Sequence, residues 1–186
     1  MNKKFFVLAL TVLTAFAVSA GGFRDPDFEL SPAGQLKKWS GGSWILLTAK
    51  DIKAEIVTDA SKAFSGKQYL HISNPDKNPI SVGGFPRITV QPGKRYILSC
   101  RLRGTGKVSI MFIRNDKNLK GRPWDPKCAA RRIQLTPDQW TEMTLSYVPQ
   151  AEDFKMYVAV AVREGDADVD GFTLKIEDID APASAQ

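Results

Sequence analysis

The predicted fold is decided by the stretch Ile88-Thr-Val-Gln-Pro-Gly-Lys-Arg-Tyr-Ile-Leu-Ser99. Pro92 and Gly93 suit the centre of a tight turn, because proline presets φ at the first central position and glycine accepts a positive φ at the second. The residues after the turn alternate, with Tyr96, Leu98, Cys100 and Leu102 in one phase and Ile97, Ser99, Arg101 and Arg103 in the other. A period of two predicts a β-strand whose Tyr96 phase faces the core.

Two later stretches, Trp140–Tyr147 and Val169–Ile176, show similar alternation. Further strands are expected earlier in the chain, the first at Phe28-Glu-Leu30, and turn residues rather than helices connect them. About ten short strands without helical periodicity predict an all-β sandwich of two packed antiparallel sheets.

The first twenty residues predict an export signal. Lys3 and Lys4 precede an apolar run, and Val18-Ser-Ala20 is a small-residue cleavage site. The run is shorter than the ~20 residues that cross a bilayer. We therefore expect a signal peptide at 1–20, a single domain at 21–180 and a disordered tail at 181–186. The mature protein is expected to be secreted or periplasmic, without a membrane span, and monomeric.

The charge pattern and the missing motifs exclude several functions. The net charge of +6 is spread over many turns, and no basic stripe interleaved with aromatic residues suggests nucleic acid as a partner. The single histidine, His71, lies in a predicted strand without a nucleophile elbow, and no cysteine or histidine spacing suits zinc. No pair of carboxylates stands out as a glycosidase pair. The sequence therefore predicts that the protein is not an enzyme.

Two cysteines follow the signal peptide. Cys100 is in the core phase of its strand, whereas Cys128 follows a polar loop at 115–130. Secretion permits a Cys100–Cys128 disulfide that would staple this loop to the sheet. Two separate thiols are the alternative, since the geometry of a disulfide is not readable from sequence.

Four motifs carry a resemblance to a known family: Asp27-Phe-Glu29, Pro92-Gly-Lys-Arg-Tyr96, the strand opened by Trp140, and Asp170-Gly-Phe-Thr-Leu174. In their order and spacing they resemble the jelly-roll carbohydrate-binding modules of families 4, 9 and 22, in the galactose-binding-like superfamily. The resemblance implies a jelly-roll β-sandwich and non-catalytic binding of a polysaccharide or glycan. It also implies a structural Ca²⁺ held by Glu29 and Asp170, although Gly171 stands where a second aspartate is common. A Glu and an Asp at exposed strand ends are the alternative.

The resemblance further implies a sugar site on the concave outer face of one sheet, where flat aromatic rings and planar polar groups meet a pyranose. The candidate residues are Trp124, Trp44, Arg101, Arg103, Arg114 and Tyr157. Trp124, in the loop at 115–130, is the preferred stacking platform. Trp39 and Trp140 are expected in the core, and the sequence does not decide whether Trp44 lies in the core or in the site.

The phases of the central strands place Arg101, Arg103 and Tyr157 opposite the core, and Arg114 is expected at a groove rim. Arginines beside one face would suit an acidic polysaccharide. Many xylan- and glucan-binding members carry an aromatic residue where this chain has Pro79. A structural or protein-interaction sandwich that has lost sugar binding is therefore the alternative function.

Overall fold

The computed structural model describes residues 25–36, 44–47, 53–84, 88–116, 128–150 and 153–179. The predicted signal peptide, the tail, Trp39 and Trp124 lie outside these ranges. The strands are β1 (Gly34–Gln35), β2 (Trp44–Leu46), β3 (Lys53–Thr58), β4 (Gln68–Asn74), β5 (Ile80–Gly84), β6 (Ile88–Thr89), β7 (Lys94–Gly104), β8 (Lys107–Asp116), β9 (Ile133–Gln134), β10 (Thr141–Tyr147), β11 (Asp153–Arg163) and β12 (Gly165–Asp178). In the described ranges no helix is long and apolar enough to cross a membrane.

The strands form two antiparallel sheets. Sheet A has the order β1-β3-β4-β12-β7-β10, and sheet B has the order β2-β5-β11-β8-β9 with β6 paired to β11. The predicted all-β sandwich of two antiparallel sheets is therefore confirmed.

The core lies between the sheets and follows the alternation seen in the sequence. Tyr96, Leu98, Cys100 and Leu102 of β7 are at most 1% exposed, and the inward apolar side chains of β8 and β11 are equally buried. Tyr96 meets Phe112 of the opposite sheet edge-on, with ring centroids 6.4 Å apart, and its hydroxyl accepts the N–H of Gln91 at 2.9 Å. Burial of each large apolar side chain stabilises the fold by about 1.5–3 kcal/mol.

The first predicted strand is wrong. Phe28 has φ 62, and residues 26–31 form turns rather than a strand. The side chain of Asp25 accepts hydrogen bonds from the Leu30 N–H at 2.8 Å and from the Ser31 hydroxyl. These bonds close the turn and allow the Phe28 ring to enter the core at 0% exposure.

The predicted disulfide is also wrong in this structure. Cys100 and Cys128 are not joined, and each is 1% exposed within the same apolar core. The segment after the loop is tied to β8 by backbone contacts instead, through a bridge between Met111 and Ala129 and a 2.9 Å bond from the Ala130 N–H to the Ile110 carbonyl. Burial raises the pKa of the Cys100 thiol far above its usual range.

Candidate functional site

The predicted sugar-binding residues lie on two opposite faces of the sandwich. Arg101 and Arg103 belong to β7 and project from the outer face of sheet A, whereas Tyr157 belongs to β11 and projects from sheet B. The expectation that these three residues share a face is therefore wrong. Alternation separates inward from outward positions, but it does not show which sheet contains a strand.

On sheet A, the two arginines stack on aromatic rings and pair with carboxylates. The Arg103 guanidinium lies 4.5 Å from the centroid of the Trp140 ring, and its Nε is 2.9 Å from Asp168 Oδ2. The Arg101 guanidinium lies 4.9 Å from the centroid of Phe64, and its Nη2 is 3.1 Å from Glu142 Oε2. Each cation thus has a carboxylate partner.

Trp140 is not a core residue, contrary to the prediction. It directly precedes β10, in which Met143, Leu145 and Tyr147 face inward, so Trp140 has the outward phase. Its ring meets Phe64 edge-on at 5.8 Å. Trp140 therefore belongs to the outer surface of sheet A.

His71 and Asp168 extend this surface across the sheet. Asp168 of β12 pairs in register with His71 of β4 on one side and with Arg103 on the other. His71 Nδ1 lies 2.7 Å from Asp168 Oδ1, and this hydrogen bond raises the pKa of His71, although burial opposes the shift. Sequence reasoning missed the pair because the two residues are 97 positions apart.

Two other candidates are wrong because their side chains are buried. Trp44 is 1% exposed, packs between Phe28 and Phe172 at centroid distances of 4.7 and 5.0 Å, and donates its indole N–H to the Asp25 carbonyl. Arg114 occupies an inward position of β8 and is 9% exposed, so it does not reach an open rim. Trp124 lies outside the described residues and stays a prediction.

The outer face of sheet B has a different chemistry. Ala159 pairs with Gly83 and Met111, and Ala161 pairs with Ser81 and Ser109. Ala159, Ala161 and Met111 are only 0%, 5% and 7% exposed and form a second buried apolar cluster with Leu47, Ile113 and Ala129, so the middle of this face is not open to solvent. The Tyr157 ring lies against Gly83, where an added Cβ would be 3.2 Å from two ring carbons. The glycine therefore makes room for the ring to lie close to the sheet. Tyr157 is partly exposed.

A comparison with known protein families decides the classification. Residues 23–168 match the carbohydrate binding domain of the 4/9 family. The chain belongs to this family. Such domains are non-catalytic binding modules, and membership supports a sugar-binding role for this module. No curated protein matches the sequence.

Solved structures of other modules share the fold. TmCBM61, solved with β-1,4-galactotriose, has 19% identity and a TM-score of 0.54 over 86% of this chain and 100% of that one. The xylan-binding domain CBM22-1 of Paenibacillus barcinonensis Xyn10C has 13% sequence identity and a TM-score of 0.56. The match covers 80% of this chain and 94% of that one. A proposed sugar binding protein of Bacteroides thetaiotaomicron VPI-5482 has 14% sequence identity to this chain and a TM-score of 0.61. The match covers 84% of this chain and 100% of that one. At these identities the likeness shows the fold alone.

The two residues expected to hold Ca²⁺ do not fit that ion, because backbone amide groups occupy both carboxylate oxygens of Asp170 and the Oε1 atom of Glu29. Asp170 Oδ2 accepts the N–H groups of Phe64 and Ser65, each at 2.9 Å, and Oδ1 accepts that of Gly171 at 2.6 Å. Glu29 Oε1 accepts the N–H groups of Lys67 and Gln68 at 2.5 and 2.7 Å.

A calcium ion needs six to eight oxygen ligands that face it, whereas these oxygens face hydrogen-bond donors. In the described part of the chain no group of three or more His, Cys, Asp or Glu residues could hold a metal. The two carboxylates instead fix the loop at 64–68. Burial raises the pKa of Asp170, and the backbone hydrogen bonds from the loop oppose that shift.

Proposed function

We propose that this module binds a polysaccharide or glycan on the outer face of sheet B, with the Tyr157 ring as the stacking platform. The observation that carries the proposal is the position of this ring against Gly83 on the sheet surface. A tyrosine offers a flat apolar ring to the C–H face of a pyranose and a hydroxyl for hydrogen bonding. The role proposed is binding without catalysis.

The sequence adds Trp124 as a second candidate platform. It lies in a stretch rich in Gly and Pro, between Pro123 and Pro126, and a flat aromatic ring is what stacking on a pyranose requires.

The absence of charge beside Tyr157 favours a neutral glycan. Between Lys155 and Arg163, the outward positions of β11 are Tyr157, Ala159 and Ala161, and none carries a charge. Ala159 and Ala161 are buried, so of these three only Tyr157 is open to contact with a glycan. The idea of an acidic polysaccharide rested on Arg101, Arg103 and Arg114. The first two project from the opposite sheet, and the third is buried, so they give that idea no support at this site.

Affinity electrophoresis tests the proposal. We expect soluble xylan or β-1,4-galactan to retard the protein, and Tyr157→Ala to weaken retention about three- to tenfold, the range for loss of one aromatic contact. Tyr157→Phe keeps the ring and should retain most binding, and Val148→Ala is the control at an exposed apolar residue. Polygalacturonate serves as the acidic probe.

Failure of wild-type protein to bind any of these probes would sink the proposal and favour the protein-interaction alternative. Equal retention of wild type and Tyr157→Ala would show that sugar does not bind at this face.

We also propose that the module is exported after removal of residues 1–20. The support is the basic start, the apolar run and the small residues that end at Ala20. N-terminal sequencing of the exported protein should begin at Gly21. An uncleaved cytoplasmic product would contradict the proposal.

A further inference from the structure

The outer face of sheet A carries a second surface, which we call the arginine–aromatic patch. It consists of Phe64, Tyr69, Arg101, Arg103 and Trp140. The Arg103 guanidinium lies between the rings of Tyr69 and Trp140, at 5.7 and 4.5 Å from their centroids. The Trp140 ring then meets Phe64, and Arg101 lies over Phe64. Rings and guanidinium groups thus form one continuous row of contacts across the sheet.

Phe64 is exposed and yet firmly placed. It is 46% exposed, on a loop that Asp170 and Glu29 hold through four backbone N–H groups of residues 64, 65, 67 and 68. Gly171 has φ +56, and an added Cβ there would lie 3.3 Å from the Phe64 ring. Folding gains little from a half-exposed phenylalanine, so its rigid placement calls for another role.

The patch also keeps polar atoms available. Within the described ranges, the Trp140 indole N–H, the Tyr69 hydroxyl and the Nε2 atom of His71 form no hydrogen bond. The indole N–H is a donor, the hydroxyl is both donor and acceptor, and the role of Nε2 depends on the tautomer. Trp140 and His71 are partly exposed, whereas Tyr69 is only 5% exposed. A ligand with several hydroxyl groups can therefore pair with the indole N–H and with Nε2.

The charges of the patch indicate a neutral ligand. Glu142 compensates Arg101, and Asp168 compensates Arg103. An anionic ligand would have to displace these carboxylates or lie beside them, at an electrostatic cost. A pyranose ring would find apolar rings, guanidinium groups and carboxylates together, which are the partners that its C–H faces and hydroxyl groups need.

We infer that the arginine–aromatic patch is a second glycan-binding surface, which takes a pyranose ring of a neutral polysaccharide. The inference rests on the glycan-binding function proposed above, but not on the location of that first site. Because the patch and Tyr157 lie on opposite outer faces of the sandwich, one module would contact two polysaccharide chains or two strands of one network. Such bivalence raises the apparent affinity for a polysaccharide with many repeats and allows the module to cross-link it.

The test compares four proteins by affinity electrophoresis in gels with soluble xylan or β-1,4-galactan. They are wild type, Tyr157→Ala, the double variant Phe64→Ala with Arg101→Gln, and the triple combination; Val148→Ala is the control. We expect Tyr157→Ala and the double variant each to weaken retention about three- to tenfold, and the triple variant to lose it. Turbidity from cross-linked polysaccharide should disappear both in Tyr157→Ala and in the double variant, because each retains only one of the two surfaces. Thermal unfolding verifies that every variant is folded.

The outcomes separate the inference from the proposed function. If the double variant is retarded by the polysaccharide as strongly as wild type, the inference alone is overturned. The same holds if Tyr157→Ala abolishes retardation completely. Loss in the double variant with no effect of Tyr157→Ala would support the patch and overturn the sheet B site. No binding by wild type would overturn both. Sedimentation that reveals a dimer abolished by Phe64→Ala, with unchanged glycan retention, would assign the patch to a second copy and overturn the inference.

Discussion

Replacement of Asp170 by alanine is expected to remove the hydrogen bonds that hold the loop at 64–68 and to destabilise the whole domain. Asp170 is 0% exposed, and three backbone N–H groups converge on its carboxylate, at 2.9 Å from Phe64, 2.9 Å from Ser65 and 2.6 Å from Gly171. Alanine would leave these donors without their acceptor, in a part of the protein where only some of them can turn to water.

The magnitude follows from the number and kind of bonds. A hydrogen bond to a charged group contributes about 1.5–3 kcal/mol, but the desolvation that raises the pKa of Asp170 offsets part of the total. We therefore expect a loss of about 2–4 kcal/mol in the free energy of unfolding. For a domain of this size, that corresponds to a fall in Tm of roughly 5–12 °C.

Thermal and urea denaturation of wild type, Asp170→Ala, Asp170→Asn and Asp178→Ala provide the assay. Asp170→Asn keeps the shape but turns one acceptor into a donor, so it should also destabilise. Asp178 is 81% exposed and bonds Lys94 at the surface, so its replacement should change Tm little. Wild type should have the same Tm in EDTA and in excess CaCl₂. A calcium-induced rise in Tm that Asp170→Ala abolishes would refute the assignment of this carboxylate as a loop anchor.

Three further predictions concern other parts of the sandwich. The hydrogen bond that His71 donates to Asp168 raises the pKa of His71 above the usual 6.5. The stabilisation from this pair is complete below pH 6.5 and is lost as pH rises through the folded-state pKa; Tm should fall across this window in wild type, but not in His71→Gln. Cys100 is 1% exposed, so a thiol reagent should modify it only after denaturation, and rapid labelling of the native protein or a mass that indicates a disulfide would contradict the structure. Gly104→Ala should destabilise more than Gly93→Ala, because both glycines have positive φ but only at Gly104 would a Cβ collide with the Asp166 carbonyl; equal Tm values would count against this difference.

The fold was predictable because its main signal is local. The alternation from Tyr96 to Leu102 shows which side chains of β7 face the core, and the structure buries those residues. The turn at Phe28 was not predictable. Phenylalanine is not a residue type that indicates a positive φ, and the conformation depends on hydrogen bonds to Asp25.

The candidate site was only partly predictable because it depends on the partners of each strand. Arg103, Asp168 and His71 meet through the register of three strands that are distant in sequence. The sequence pattern also does not show which sheet contains a strand. Tyr157 was therefore expected beside Arg101, although β11 and β7 belong to different sheets. Trp140 was assigned to the core because it opens a core strand, but its own phase is outward.

An amide NMR titration with xylan and β-1,4-galactan oligosaccharides tests whether a glycan binds on sheet B beside Tyr157. We predict that at least one of them shifts the backbone resonances of Gly83, Tyr157, Ala159 and Ala161 in a saturable way, and that Tyr157→Ala weakens the response. Resonances of these four residues that stay unchanged at saturating oligosaccharide, while others shift, would contradict the account.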